Sequence, residues 1–190
     1  MTLSLLVATP QLAGSLFERS VLLMLDQADG ALGLVINQPA GFSLSDLLPG
    51  RSPPDRGAAG RGLSAYSGGP VERSSGWCLY AAPEGTAGKS AGHDQSTEHE
   101  LAPGLWLSRD REVLDHLMGG DAPFYLLLGY AGWASGQLER EAREGAWLWG
   151  EIEAAHLETL LWHTPDEGKW QAALALLGTP PQNVVGGARA

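Results

Sequence analysis

Residues 129–141, with the sequence GYAGWASGQLERE, concentrate side chains that could bind a ligand or react with one. The glycines are spaced GxxGxxxG, whereas a dinucleotide-binding turn requires GxGxxG and a P-loop requires GxxxxGK followed by Ser or Thr. Ser135 lies one position too late for the GxSxG pattern of a nucleophilic serine. The spacing therefore predicts neither a phosphate-binding loop nor a serine hydrolase, and we expect no catalytic residue in this segment.

Four side chains of the segment remain candidates for binding: Tyr130, Trp133, Gln137 and Glu139. Aromatic residues beside glycines can anchor a ligand or a partner, and they can equally fill the end of a sheet. If Gly136 is the N-cap of a helix, Glu139 lies at position N3, where its carboxylate bonds back to the cap and occupies the place of a phosphate. Two interpretations remain open: a pocket near Trp133, Gln137 and Glu139, or a closed corner that only shapes the fold.

Further candidate binding residues lie outside this segment: Arg19, Asn37, Gly68, Gly69 and Pro70. Asn37 can turn the chain shortly before a proline, and the two glycines permit backbone conformations that other residues avoid. We expect Arg19 to pair with a buried carboxylate or carbonyl, for example the carboxylate of Glu139. Each of these residues therefore has a structural interpretation beside the functional one.

One group of side chains has metal-ligating chemistry: His93, Asp94, Glu98, His99 and Glu100. Imidazole and carboxylate groups bind zinc or manganese. Because a polar connection supplies no rigid elements to fix their geometry, we predict no metal site, and no motif indicates a cofactor. Cys78 is the only cysteine, which excludes an internal disulfide, and its position favours a buried strand residue over a nucleophile.

The chain has 190 residues and a net charge of −10, with 44% hydrophobic and 18% charged residues. This composition suits one globular domain. Proteins that bind duplex DNA usually carry a basic face, so nucleic acid is not an expected partner. Four arginines nevertheless lie close together in the sequence: Arg51, Arg56, Arg61 and Arg73. They indicate either a solvated loop or a docking patch for an acidic protein partner.

The apolar runs are all much shorter than the ~20 residues that span a bilayer. The N-terminal sequence MTLSLLVATPQL has no basic region of the kind that begins a signal peptide. We therefore expect a cytoplasmic protein with no membrane partner.

Apolar runs bounded by turn residues predict strands at Leu3–Ala8, Val21–Leu25, Ala31–Ile36, Gly76–Ala81, Leu105–Leu107, Phe124–Gly129 and Ala146–Ile152. Capping residues predict helices after Ser43, Ser108, Gly136 and Thr164, and a further helix spans residues 153–162. Exposed loops are expected at about residues 49–62 and 82–104. Because strands and helices do not alternate strictly, we predict an α+β fold in one compact domain over residues 1–190, with a mixed sheet flanked by helices.

Five motifs stand out together: LVATP at residues 6–10, FERSV at 17–21, GALGLVINQP at 30–39, GGPV at 68–71 and GYAGW with GQLE at 129–139. In this combination the chain resembles the AlgH/YqgE family of bacterial proteins, over nearly its whole length. The resemblance implies a single α+β domain with a partly barrel-like sheet. It implies little chemistry, because the family has no established enzymatic activity, although one branch is linked to transcriptional control of exopolysaccharide synthesis.

Positions at which that family often has histidine hold other residues here, including Gln27 and Tyr80. A shared histidine-based reaction is therefore not expected. We predict a non-enzymatic binding or regulatory protein that acts through protein contacts. The alternatives are a small-ligand-binding protein or enzyme with a pocket near Trp133, Gln137 and Glu139, and a DNA-binding transcriptional regulator, which the net charge disfavours.

Overall fold

The computed structural model describes residues 3–25, 30–47, 64–82 and 98–179. These residues belong to two compact units of the chain. Unit 1 combines the two ends of the sequence, Met1–Gln38 and Tyr130–Ala190, and unit 2 is the continuous stretch Pro39–Gly129. Each unit is built from both strands and helices.

The strands are β1 (Leu3–Ala8), β2 (Val21–Leu25), β3 (Ala31–Val35), β4 (Pro39–Ser43), β5 (Ser64–Ser67), β6 (Val71–Ala81), β7 (Glu98–Ala102), β8 (Leu105–Ser108), β9 (Phe124–Trp133) and β10 (Trp147–Ile152). The helices are α1 (Leu44–Leu47), α2 (Arg111–Gly119), α3 (Gln137–Arg143), α4 (Ala154–Glu158) and α5 (Asp166–Leu176). A short 3-10 turn covers Pro10–Leu12, and a π-helical turn, Thr159–His163, follows α4 directly.

The sheet of unit 1 has the strand order β10-β1-β2-β3, and the last residues of β9 pair with β3. All these pairs are antiparallel. The apolar runs of β1 and β2 are buried almost completely, as expected for central strands with both faces covered. One cluster of buried residues joins the sheet to α3: Leu6, Ala8, Leu22, Met24, Val35, Ala131, Trp133, Leu138 and Trp147. Helix α5 packs against β1 and β2 and buries Trp170, Ala173 and Leu174.

The strands of unit 2 form both antiparallel and parallel pairs. Strand β6 pairs with β8 and β8 with β7, and β4 pairs with β5, all antiparallel. Strand β5 runs parallel to the first half of β9. The buried cluster of this unit contains Leu44, Ala65, Cys78, Tyr80, Val113, Leu117, Met118, Phe124 and Leu126. The prediction of an α+β fold with a mixed sheet is therefore confirmed.

Several local predictions are confirmed and others are wrong. Ser43 and Asp46 form the predicted capping box of α1, because each backbone N–H bonds to the other side chain, at 2.8 and 3.3 Å. The predicted cap of α2 was Ser108, but Asp110 is the N-cap and its carboxylate accepts from the backbone of Glu112. Thr164 is likewise not the cap of α5, which begins after Pro165 without a side-chain cap hydrogen bond.

The strand predictions missed three short strands, the start of β6 and the end of β9. No strand was predicted at β4 or β5, and β7 lies inside the connection predicted at 82–104. Strand β9 continues past Gly129 to Trp133, so the first part of the 129–141 segment is strand rather than corner. Gly129 allows this because its φ of +74° is a left-handed conformation that favours glycine.

Several predicted features lie outside the described residues. They are the loop at 49–62 with Arg51, Arg56 and Arg61, most of the connection at 82–104 with His93 and Asp94, and Gln27. The prediction of one domain over residues 1–190 stays a prediction. None of the helices in the described ranges combines the length and the apolar character that a membrane-spanning helix requires.

Candidate functional site

Three residues separate the end of β9 from helix α3 of unit 1, and Gly136 is the N-cap of this helix as predicted. The φ of Gly136 is +73°, which favours glycine at this position. The backbone N–H of Ala134 donates to Gln137 Oε1 at 3.1 Å. Gln137 therefore closes the turn, and the predicted bond from Glu139 back to the cap is wrong: the Glu139 side chain is exposed at the helix surface.

A carboxylate that the sequence interpretation did not single out lies at the centre of this region. Glu141 Oε2 accepts from Trp133 Nε1 at 3.0 Å and from Trp147 Nε1 at 2.9 Å. Glu141 Oε1 accepts from Gln137 Nε2 at 2.9 Å. Two buried indoles, from β9 and β10, are thus tied to one face of α3 by a single side chain. We name Trp133, Gln137, Glu141 and Trp147 the indole clasp.

The faces of the two indoles are covered as well as their N–H groups. The ring centroids of Trp133 and Trp147 lie 5.7 Å apart in an edge-to-face arrangement. Phe17 contacts both rings, at centroid distances of 6.4 Å and 5.4 Å. Trp133 is only 7% exposed and Trp147 only 3%. The aromatic groups of the clasp are therefore packed into the core of unit 1.

The surroundings of Glu141 determine its charge. Partial burial raises the pKa of its carboxyl group, but hydrogen bonds from Gln137, Trp147 and Trp133 and the charge of Arg140 lower the pKa further than burial raises it. The pKa of Glu141 is therefore below its ordinary value, and the group is a carboxylate at neutral pH. A carboxylate that accepts three hydrogen bonds is suited to holding its donors in place rather than to exchanging protons with a substrate.

Arg19 and Asn37 both lie in unit 1, and Arg19 does not form the pair with Glu139 that we predicted. The guanidinium carbon of Arg19 lies 5.5 Å from the ring centroid of Trp170, so a cation–π contact replaces the expected pairing with Glu139. Asn37 Oδ1 accepts from the backbone N–H of Val21 at 2.9 Å, and its Nδ2 donates to the carbonyl of Arg19 at 2.8 Å. Asn37 thereby holds Arg19 in a left-handed conformation, with φ of +51°.

Helix α5 carries two further polar anchors that the sequence interpretation missed. Lys169 is fully buried, and its Nζ donates to Asp166 Oδ1 at 2.7 Å and to the carbonyl of Ile36 at 3.2 Å. The indole N–H of Trp170 donates to the carbonyl of Ala8 at 2.7 Å. Because a buried charge must be paired and hydrogen-bonded to be tolerated, Lys169 fixes the helix to the end of β3.

Gly68, Gly69 and Pro70 lie in unit 2 and serve a close approach of two backbone segments. The N–H of Gly68 donates to the carbonyl of Leu128 at 2.8 Å. A Cβ on Gly129 would lie 2.5 Å from the Gly69 oxygen and 2.6 Å from the Val71 oxygen, closer than real Cβ atoms come. A Cβ on Gly68 would likewise clash with the Gly129 oxygen, so this crossing needs glycine at 68 and 129. Gly69 has a φ of +153°, which favours glycine. The turn therefore has a structural use.

The described members of the predicted metal group do not converge. Glu98, His99 and Glu100 are successive residues of β7, whose side chains alternate between the two faces of a sheet. Glu98 Oε1 accepts from Tyr80, and Glu100 Oε1 accepts from the backbone of Gly104. Among the residues that the structure describes, no three side chains of His, Cys, Asp or Glu are grouped as metal ligands would be.

Strand β10 presents the most exposed tryptophan described in either unit. It pairs with β1 along all six residues, with Leu6 opposite Trp149. In the part of the chain that the structure describes, no strand pairs with its other edge. Trp149 is 46% exposed although its neighbour on the same face, Trp147, is buried. We name Trp149 and the free edge of Trp147–Ile152 the β10 edge.

Comparisons with known proteins give consistent results. A family model described as AlgH-like matches residues 5–182. A UPF0301 protein of Ruegeria pomeroyi is 35% identical over 181 residues, covering 94% of this chain and 92% of the relative. A UPF0301 protein of Myxococcus xanthus is 39% identical over 186 residues, covering 96% and 94%.

Two solved structures have the same fold. The solution structure of the AlgH protein from Pseudomonas aeruginosa has a TM-score of 0.67 and 31% identity, covering 98% of this chain and 94% of that one. The crystal structure of protein DIP2367 from Corynebacterium diphtheriae has a TM-score of 0.69 at 19% identity, covering 95% and 90%.

Proposed function

The chain belongs to the AlgH-like family, and we propose that it is a cytosolic, non-enzymatic binding protein that acts through contact with another protein. No biochemical activity is established for the family, so the proposal rests on the chain itself. The observation that carries it is the β10 edge: an exposed tryptophan on a strand with one free side.

An edge strand presents unpaired N–H and C=O groups that can pair with an extended segment of another chain. Tryptophan is the residue most enriched among those that dominate binding energies at protein interfaces. In β10 the two features coincide, because Trp149 lies in the middle of the strand. The binding mode that fits is addition of a partner strand along Trp147–Ile152.

The residues around Trp149 define the chemistry of that strand. Residues two apart share a face, so Trp149 and the exposed Glu151 lie on the same side of the sheet. The protein as a whole carries a net charge of −10. We therefore expect the partner strand to place an apolar side chain against Trp149 and Lys or Arg near Glu151.

The alternative of a pocket near Trp133, Gln137 and Glu139 has less support. The first two side chains are bonded to Glu141 and the third is exposed to solvent. Direct DNA binding stays a prediction that the net charge of −10 disfavours. Docking of an acidic partner at Arg51, Arg56 and Arg61 also stays a prediction, since those arginines lie outside the described residues.

Affinity capture with the full-length protein as bait tests the proposal. The variants are Trp149→Ala and, as a matched control, Leu16→Ala, which removes the most exposed large apolar side chain described, at 76% exposure. We expect a saturable partner whose affinity falls about 30-fold or more with Trp149→Ala, since interface tryptophans contribute about 2 kcal/mol or more. Leu16→Ala should leave the affinity unchanged.

Hydrogen exchange on the complex tests the strand-addition mode separately. The backbone N–H groups on the free side of β10 should exchange more slowly when the partner is bound, because they gain hydrogen bonds. A partner that binds both variants equally and leaves β10 exchange unchanged contradicts the β10 edge as the binding surface.

A further inference from the structure

The hydrogen bonds beside β1 show which way the backbone groups of β10 point. In an antiparallel pair only every second residue bonds to the opposite strand. The N–H of Thr9 donates to the carbonyl of Ala146 at 3.0 Å, in the same register as the β1–β10 pair. The N–H of Ala8, which lies opposite Trp147, instead donates to the carbonyl of Ser20 beside β2, at 2.9 Å. Both bonds therefore give the same alternation along β10.

This alternation divides the residues of β10 into two sets. The even-numbered residues from 148 to 152 bond to β1. The backbone groups that point to the free edge are those of Trp147, Trp149 and Glu151. In the described part of the chain, no residue donates to these groups or accepts from them. Because they are spaced evenly about Trp149, a two-fold axis at that residue makes the edge complementary to itself.

Strand β10 has few of the features that keep edge strands apart. Edge strands are commonly protected by proline, by lysine or by a bulge. Residues 147–152 contain no proline and no lysine, and they pair with β1 without a register shift. Their one charged side chain is Glu151, and their central side chain is Trp149, which is 46% exposed. An exposed edge of this kind is a template for a strand that matches it.

We propose that a second copy of the chain covers the β10 edge, through antiparallel pairing of the two β10 strands about a two-fold axis at Trp149. Each Trp149 then exchanges two backbone hydrogen bonds with its counterpart, and Trp147 does the same with Glu151 of the second copy. A partner strand cannot add to β10 while the second copy occupies the edge. This blocking rests on the function proposed above, whereas the pairing of the two copies does not.

Apolar side chains meet on both faces of the sheet in this arrangement. On one face the two Trp149 side chains lie opposite each other, and aromatic cross-strand pairs stabilise antiparallel strands. On the other face Leu148, which is half-buried, lies opposite Gly150 of the second copy. A Cβ on Gly150 would lie 2.7 Å from Leu177 Cδ2. Leu177 therefore covers this glycine and offers Leu148 an apolar contact.

The acidic charge of β10 favours this register over the next one. With the axis at Trp149, the two Glu151 side chains are separated by four positions along the strands, about 14 Å, which exceeds the Debye length of about 8 Å at physiological ionic strength. With the axis at Gly150, Trp149 would face the charge of Glu151 and lose the aromatic contact. The net charge of −10 on each copy opposes association, and the contact is one short strand, so the dimer is weak and reversible.

Sedimentation equilibrium of the purified full-length protein measures the pairing in the absence of any other protein. We expect a monomer–dimer equilibrium that tightens as sodium chloride is raised, because salt screens the repulsion between two acidic copies. Trp149→Ala should weaken dimerisation about 30-fold or more. Leu16→Ala, which removes another exposed apolar side chain, should not change it.

A proline variant tests the backbone pairing apart from the side chains. Because the N–H of Glu151 points to the free edge, Glu151→Pro removes no bond to β1, and edge strands tolerate proline at such positions. It should weaken dimerisation about tenfold or more. The matched control, Glu151→Ala, keeps the N–H and removes the charge, so it should dimerise at least as tightly as the native protein. Circular dichroism checks that both variants are folded.

Amide hydrogen exchange followed by nuclear magnetic resonance locates the interface. As the protein concentration rises, the amides of Trp147, Trp149 and Glu151 should exchange more slowly, because dimerisation gives them hydrogen bonds. The amides of Leu148 and Gly150 bond to β1 in monomer and dimer alike. Their exchange should therefore depend less on the protein concentration.

Three results would overturn the proposal. One is a protein that stays monomeric at concentrations up to about 1 mM. Another is a dimer whose outward β10 amides gain no protection, or which Glu151→Pro leaves intact. The third is a captured partner protein that binds along β10 without dissociating the dimer, which contradicts the blocking. Absence of the dimer refutes this inference alone, whereas failure to capture a partner protein refutes the proposed function, and the blocking with it, but not the dimer.

Discussion

Replacing Glu141 by leucine tests the indole clasp directly. The substitution keeps a similar volume on α3 and removes the acceptor of both tryptophan N–H groups. Trp133 and Trp147 are 7% and 3% exposed, so neither indole can turn to solvent without leaving the core. The helix itself should tolerate the change, because leucine and glutamate have similar helix propensities.

The magnitude follows from the donors that are left unpaired. A buried N–H group that loses its acceptor costs about 1–3 kcal/mol, and Glu141→Leu leaves two of them. Because Glu141 is itself only partly buried, water can reach part of its position and reduce the penalty. We therefore expect the free energy of unfolding to fall by about 2–4 kcal/mol, a large share of the 5–15 kcal/mol typical of a domain.

Urea denaturation followed by far-ultraviolet circular dichroism measures this loss without relying on tryptophan emission, which the substitution itself perturbs. The matched control is Glu139→Leu on the same helix, whose carboxylate is exposed and should change stability by less than about 0.5 kcal/mol. Trp147→Phe combined with Glu141→Leu should cost less than the sum of the single changes, because the phenylalanine removes one of the unpaired donors. Equal midpoints for Glu141→Leu and Glu139→Leu would refute the clasp.

Three further outcomes are expected. The pKa of Glu141 is lower in the folded protein than its ordinary value of 4.5. The Glu141 carboxylate therefore stabilises the fold above that pH, and this stabilisation is lost as the pH falls through the folded pKa. Urea midpoints measured across pH should show a smaller loss of stability on the acid side for Glu141→Leu than for the native protein. Gly129→Ala adds a Cβ that meets two backbone oxygens, at 2.5 and 2.6 Å, at a φ of +74°, so unfolding should become easier by about 2–5 kcal/mol. Its control is Gly136→Ala, with a φ of +73° but no described atom within 4 Å of the new Cβ, which should cost only about 1–2 kcal/mol in denaturant titrations. Burial, with the charge of Asp110, raises the pKa of the Cys78 thiol to about 12. Iodoacetamide at about pH 8, followed by mass spectrometry, should therefore label Cys78 only as fast as the protein unfolds. Rapid labelling of the folded protein would contradict the burial of this thiol.

The sequence predicted the elements whose signals are local. Apolar runs located β1, β2 and β3, and the Ser43–Asp46 box located α1, because both signals arise from neighbouring residues. Strand β7 was missed because its sequence, EHELA, is mostly polar and resembles a loop. It becomes a strand by pairing with β8, and pairing between segments leaves no local pattern to read.

The candidate site was predicted in part for the same reason. Gly136 as N-cap and the importance of Trp133 and Gln137 follow from residues close in sequence. Glu141 lies four residues after Gln137, so a helical i, i+4 pair could have indicated it. Its second indole partner, Trp147, comes from another strand, and Phe17 comes from the far end of the chain. One sequence alone does not show which distant aromatic residues meet.

The division of the chain into a continuous unit and a discontinuous one has a consequence for its synthesis. All of Pro39–Gly129 leaves the ribosome before Tyr130, so unit 2 can complete its pairings while translation continues. Strand β1 instead waits for β10, because Leu3 pairs with Ile152. During that delay the nascent chain carries an apolar strand with an open edge. A ribosome that stalls before Trp147 would therefore leave exposed the kind of segment that chaperones bind and that aggregates when they are absent.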